Sequence, residues 1–431
     1  MTLRRAASIA LRGVLLLAAL ALAAGLGVRI YGMYRFSEVA KQFERDAGSL
    51  IPAQYAPPDV PMLENAATWF RRGIDAMVVF RDPDHPISSH EVDLLATCED
   101  EGPSALDAQA RALVEEVLNR NRPALALIER GATRPRSRWS FSYREGSHTE
   151  IPNLRAAVDA ARALACDARL ALERDQLDAA IARFEQIAAL ARSHEHEPIL
   201  WMQMIGAAIE RMQLFLGRDL LSRGDLELNH LDRLERGICV IDVEEQTRRA
   251  FALEAATLNE VLRGELPPID ANHKTYTPHW SERVELYFDG HLQRAALLEE
   301  RGALVAAMRR PWIEGAAEAR AALGSRGVAV PNLLDIAGRS QASRTLREGF
   351  RTALALRREG LLAGRYPASI PENLQGNAID RLTARPLAYA VRPDGSARLE
   401  RVDDPEETKE ILSSTRFDGF YWELPAPEVR R

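Results

Sequence analysis

The chain of 431 residues carries 56 basic and 62 acidic side chains, a formal net charge of −6, and 46% of its residues are apolar. Such a composition belongs to a globular chain with ample material for a core and excludes a disordered or collagen-like polymer. Three cysteines, Cys98, Cys166 and Cys239, lie far apart without a CxxC pair, which excludes a disulfide-stapled miniprotein and leaves them as small core hydrophobes.

Residues 1–35 hold Arg4, Arg5, Arg12, Arg29 and Arg35 and no acid, so the remainder carries 51 basic against 62 acidic side chains. An acidic body has no global cationic surface with which to neutralise phosphates, and no nucleic-acid partner is expected. From Gly13 to Val28 the run GVLLLAALALAAGLGV is free of charge. A helix needs about 20 residues to cross a core of about 30 Å. Arg12 and Arg29 extend this one by directing their guanidinium groups toward the headgroups, so that residues 11–30 meet membrane lipid. Tyr31 and Tyr34 then fall at the interface. Arginines ahead of the span favour a cytoplasmic N-terminus and a body outside the cytoplasm, in the manner of a single-pass inner-membrane protein. Two rival readings stand beside the uncleaved anchor: a cleaved signal peptide, since Ala21-Leu22-Ala23 is an acceptable site, and a buried soluble helix. No cysteine follows the apolar run, which argues against a lipoprotein anchor.

After this anchor (1–35) comes a juxtamembrane segment with a spacer (36–61), in which Pro52, Pro57, Pro58 and Pro61 forbid a helix. Residues 62–360 show helical periodicity almost throughout and form an α-helical body. One stripe runs over Leu63, Ala66, Ala67, Phe70, Ile74, Met77 and Val78, and the next over Leu106, Ala110, Leu113, Val114 and Val117. The prolines of Asp82-Pro83-Asp84-His85-Pro86 demand a loop between them. Trp139, Phe141 and Tyr143 alternate with serines in a short strand or ordered loop. A helical hairpin follows, with Leu154, Val158, Ala161, Ala165, Ala168 and Leu172 on one arm, a turn at Arg174-Asp175-Gln176, and Leu177, Ala180, Ile181, Phe184, Ile187 and Ala191 on its return. Further helices are expected at Pro198–Leu221, about Ser281–Met308, Trp312–Leu323 and Ser340–Arg358. Residues 361–431 are turn-rich. Pro386–Val391 and Ser396–Val402 flank the turn Pro393-Asp394-Gly395 as a β-hairpin, to which Phe417–Leu424 adds a third strand. The fold class expected is therefore mainly α, with stacked helical hairpins behind a transmembrane helix and a small C-terminal β element.

The placing of Ala168, Ala180 and Phe184 resembles a tetratricopeptide hairpin, from whose consensus Asp167 and Ile187 depart. The order of anchor, proline spacer, Asn65-Ala66-Ala67-x-Trp69, Ile151-Pro152-x-Leu154, Glu197-Pro198-x-Leu200 and Tyr366-Pro367 before Arg385-Pro386-Leu387-x-Tyr389 resembles a class of membrane-anchored α-helical proteins of bacteria, a class that implies an architecture and no activity. The C-terminal piece is also similar to the tail of major pseudopilins, although Asp380 is followed by Arg381 where that tail has proline.

No phosphate-binding glycine loop, nucleophile elbow or zinc-protease motif occurs. The one cluster to weigh is His194-Glu195-His196-Glu197, with His273 and His279 distant in sequence. Converging imidazoles and carboxylates bind zinc, yet a helix turns roughly 200° over two residues, so His194 and His196 face opposite ways. The cluster reads instead as a solvated helix C-terminus ahead of Pro198. Glu244-Glu245, Glu299-Glu300 and Glu406-Glu407 read as solvated surface, and Ser147-His148 as mere adjacency. No catalytic residue, cofactor or metal ligand is assigned. The expected function is a membrane-anchored extracytoplasmic scaffold or protein-binding module without catalytic activity, its partners other envelope proteins. The alternatives are a metal-dependent hydrolase using the His194/His196 region and a component of a secretion or pilus-like envelope assembly.

Overall fold

The N-terminal helix α1 (Leu3–Asp46) is 44 residues long, about 66 Å at 1.5 Å per residue, and its two halves meet different surroundings. The computed structural model describes residues 3–78, 90–143, 154–238, 242–263, 279–323, 330–402 and 420–427. Among these, α1 is the one helix long and apolar enough to cross a membrane, and none of its apolar window is buried by the body. Leu17, for example, is 68% exposed. The second half of α1 packs along α10 (Trp280–Ala307). A Cβ on Gly25 would lie 2.8 Å from the ring of Phe288, and one on Gly32 would lie 3.2 Å from Leu292. Further along, Phe43 faces Gly302, and Arg309 donates to the Asp46 carbonyl at 2.7 Å. Both helices advance together through these contacts and so run parallel.

This packing changes the reading of residues 36–61. The charged stretch after the anchor is no separate spacer, because α1 continues unbroken through it and buries Val39 and Phe43 while its charged residues face outward. Even the proline segment docks in part: Pro52 and Tyr55 are buried in a short 3₁₀ turn, and the Tyr55 hydroxyl donates to the Ser49 carbonyl at 2.7 Å.

The body is mainly helical: α2 (Ala66–Asp75), α3 (His90–Glu101), α4 (Ala108–Ala132), α5 (Leu154–Glu173), α6 (Leu177–Glu195), α7 (Leu200–Leu221), α8 (Leu228–Gly237), α9 (Val243–Arg263), α11 (Trp312–Leu323), α12 (Val330–Ala363) and the single turn α13 (Glu372–Gln375). Asn65 caps α2 by accepting from Ala67 N–H at 3.0 Å, while its amide donates to the Arg138 carbonyl at 2.8 Å and so ties α2 to the aromatic segment. The hairpin α5–α6 turns at Asp175, whose φ of 55° lies in the left-handed region that aspartate tolerates. Its small residues Ala161, Ala165 and Ala168 are buried, and Phe184 meets Gly217, Gly237 and the Phe350 ring at 5.9 Å. Helix α12 starts ten residues before the sequence-based expectation, because Pro331 falls in its first turn, where a missing N–H costs nothing.

Three short strands, β1 (Ala388–Val391), β2 (Ala397–Glu400) and β3 (Tyr421–Leu424), form an antiparallel sheet in that order. Gly395, at φ 82°, turns the first pair. Trp422 of β3 is fully buried against Gly349 of α12, and Phe420 stacks on Phe215 of α7 at 5.1 Å. Arg357 and the Tyr366 hydroxyl both donate to the Pro425 carbonyl, at 2.6 and 2.8 Å, so Tyr366 of the Tyr-Pro motif locks the tail to the body. The expected loop at 82–86, and His148, Ile151 and Pro152, lie outside the described residues.

Candidate functional site

The end of α6 is not the solvated terminus that its charge pattern implies. His194, Glu195 and Glu197 are all buried, and only His196 of the four is exposed. The reason is tertiary: the segment carrying Trp139 folds over this helix end. Its indole N–H donates to the Ser193 carbonyl at 3.0 Å, and its ring lies 5.0 Å from that of His194. The two histidines do point apart. His194 Nδ1 donates to the Leu190 carbonyl at 2.9 Å, and burial lowers its pKa to about 4 against the opposing pull of that carbonyl. Burial likewise raises Glu197 to about 7, although Trp139 N–H donates to it at 2.6 Å and Arg138 lies 3.2 Å away. Among the described residues, no three His, Cys, Asp or Glu side chains are placed to share a metal ion. His273 and Glu406-Glu407 lie outside those residues. The other acid pairs have arginine partners: Glu244 meets Arg344, Glu245 meets Arg248, Glu299 meets Arg35 and Glu300 meets Arg301.

Deeper in, Glu195 and Glu210 share the guanidinium of Arg347 on α12, which lies 3.4 Å from the first and donates through Nε to the second. Gln203 of α7 closes the helix end by donating from Nε2 to the carbonyls of Glu195 and Glu197, at 2.7 and 2.6 Å.

Gln203 also faces a cavity of about 70 Å³ between α7, α9 and α12. Its polar side is formed by Gln203, Arg211, Thr247, Arg339, Ser340 and Ser343, and Thr247 and Ser340 share a hydroxyl hydrogen bond of 3.2 Å. The remaining wall is Met204, Ala207, Ala208 and Ile336. Gln203, Thr247, Ser340 and Ser343 are buried, whereas Arg211 and Arg339 are partly exposed. Burial lowers the Arg211 pKa; Glu99 opposes this, and the nearby charges of Arg162 and Arg339 reinforce it. Guanidinium, hydroxyl and amide groups are all hydrogen-bonding groups. Among the described residues, no His, Asp, Glu or Lys lines the cavity.

Sequence reasoning did not single out Gln203, Arg211 or Arg339. A signal exists in retrospect: Gln203, Ala207 and Arg211 recur every four residues on one face of α7. Compared with protein-family models, with curated proteins and with solved structures, the chain matches none.

Proposed function

We propose that this chain is a membrane-anchored binding and scaffold module without catalytic activity, its body held outside the cytoplasm at the surface of the inner membrane. The observation that carries the reading is the continuity of α1, whose apolar residues 13–24 are exposed and whose second half is part of the packed body. A helix that served only as a removable signal would have no need to pack along α10. Aromatic residues support a membrane level near the middle of α1: Tyr31 and Tyr34 are exposed, as is Tyr287, whose ring lies 4.0 Å beneath the Arg29 guanidinium. Orientation rests on Arg4, Arg5 and Arg12 ahead of the span. Binding rather than catalysis is supported by the cavity, which is lined by two arginines, three hydroxyl side chains and an amide. Partners among other envelope proteins fit a body tethered in this way. A reporter enzyme that works only outside the cytoplasm, fused after Leu424, tests the arrangement. Activity is expected, and an inactive fusion whose cytoplasmic counterpart is active would overturn it.

A further inference from the structure

We propose that Cys98 and Cys166 form a disulfide bond that ties α3 to α5 once the body meets an oxidising compartment; this rests on the placing of the body outside the cytoplasm. The geometry carries the pairing. Cys166 of α5 donates its S–H to the Leu95 carbonyl of α3 at 3.3 Å, and Arg169, one turn further along α5, donates from Nη1 to the Cys98 carbonyl at 3.0 Å. Leu95 and Cys98 are likewise one turn apart on α3, so these two bonds set the turn that carries Cys98 against the turn that carries Cys166. The two thiols meet there, Cys166 also hydrogen-bonding with the Cys98 sulfur.

A disulfide demands Cβ atoms about 3.5–4.5 Å apart, a condition that cysteines distant in sequence meet only where the fold brings them face to face. Adjoining thiols persist in the reducing cytoplasm and join outside it. Cys98 and Cys166 stand on separate helices with α4 between them in sequence, so the bond would close a long loop and restrict the unfolded chain.

The chemistry is exchange with a disulfide-bearing oxidant, a small molecule or a protein. Cys98 supplies the attacking thiolate: the hydrogen bond with Cys166 lowers its pKa first, and Arg169 adds to this against the effect of burial, whereas burial raises Cys166. The Cys98 thiolate attacks one sulfur of the oxidant, whose S–S bond breaks and releases one thiolate. Cys166 then loses its proton and attacks the Cys98 sulfur, which expels the second thiolate. The protons of the two cysteines end on the two expelled thiolates, so two protein thiols are oxidised while one disulfide is reduced to two thiols. Both side chains are fully buried, and exchange therefore takes place as the chain folds or through local opening.

The test uses the full chain in detergent, purified under reductant and carrying Cys239→Ser, since Cys239 lies outside the described residues. It is held with oxidised glutathione in urea just below its unfolding midpoint and then digested without reductant for mass spectrometry. Peptides linked through Cys98 and Cys166 are expected, with a urea midpoint above that of the reduced chain. Cys98→Ala and Cys166→Ala should each abolish the link and make the midpoint independent of oxidant; should either fail to fold, the oxidised and reduced forms of the unsubstituted pair decide the matter. Unlinked peptides after this treatment, or glutathione adducts that do not resolve into the link, would overturn the pairing. The same link is expected in the parent chain from native membranes whose free thiols are blocked with N-ethylmaleimide before extraction. Free thiols there would overturn the proposal where the Leu424 fusion is active outside the cytoplasm. With a fusion active only in the cytoplasm, they would instead place the failure with the compartment, and the glutathione experiment alone would decide the pairing.

Discussion

Gly206 of α7 leaves the space that the Glu195 side chain occupies: a Cβ at position 206 would lie 2.7 Å from Cγ of Glu195 and 3.2 Å from its backbone nitrogen. The close approach of two helices is thus what admits a carboxylate to the interior, where Arg347 neutralises it. Gly206→Ala gains about 1 kcal/mol of helix propensity, yet the clash involves backbone and a held side chain, for which overpacking costs about 1–3 kcal/mol. A net loss in thermal stability is expected. Gly224→Ala is the control, since a Cβ there meets nothing within 4 Å, and it should melt close to the parent.

Glu197 and His194 bias stability against pH in opposite directions. The folded chain keeps the Glu197 proton up to a pKa of about 7, whereas an unfolded glutamate releases it near 4.5, so this contribution is complete below pH 4.5 and is lost as pH rises to 7. For His194 the folded pKa is about 4 against 6.5, so its contribution is complete above pH 6.5 and is lost as pH falls to 4. Between pH 4.5 and 6.5 the two slopes oppose each other. Glu197→Gln should leave stability rising more steeply with pH across that window, and His194→Gln should leave it falling. Urea unfolding of the full chain at four or five pH values reads both slopes; curves parallel to the parent for both variants would refute the burial of the cluster.

Trp139 is the lid on that cluster. Trp139→Ala should cost about 3–5 kcal/mol, typical of a buried aromatic lost to a cavity. It should also return the His194 pKa from about 4 toward its ordinary 6.5 as water reaches the ring. Imidazole titration by NMR in a chain labelled at histidine checks this, and an unmoved pKa would mean that other groups bury the ring.

Phe184 joins three helices rather than serving only its own hairpin, with Gly217, Gly237 and Phe350 against it. Phe184→Ala is expected to lose about 3–5 kcal/mol, measured as a lower urea midpoint, and parent-like melting would require the α5–α6 register to be redrawn.

What could be read from the chain was the local part. The hairpin declares itself because Ala161, Ala165 and Ala168 repeat at helical spacing, and the β-hairpin because Pro393-Asp394-Gly395 can only turn. The run of α1 past Phe36 was legible too, in the spacing of Phe36, Val39, Ala40 and Phe43, but the charges between them, Glu38, Lys41 and Glu44, drew the eye to a solvated linker. His194-Glu195-His196-Glu197 misled for a nonlocal reason. Its charge pattern is that of a surface, and the group that buries it, Trp139, stands 54 residues before Ser193, to which it bonds. The cavity is harder still, since it needs α7, α9 and α12 brought together from three separated segments.

Carbonate extraction of native membranes, followed by mass determination of the N-terminal peptide, tests the anchoring by α1 most directly. The chain should stay in the pellet with an N-terminal peptide from before Gly13. A soluble chain that begins near Ala24 would contradict the account, because α1 would then have been cut within its exposed apolar half and nothing would hold the body to the membrane.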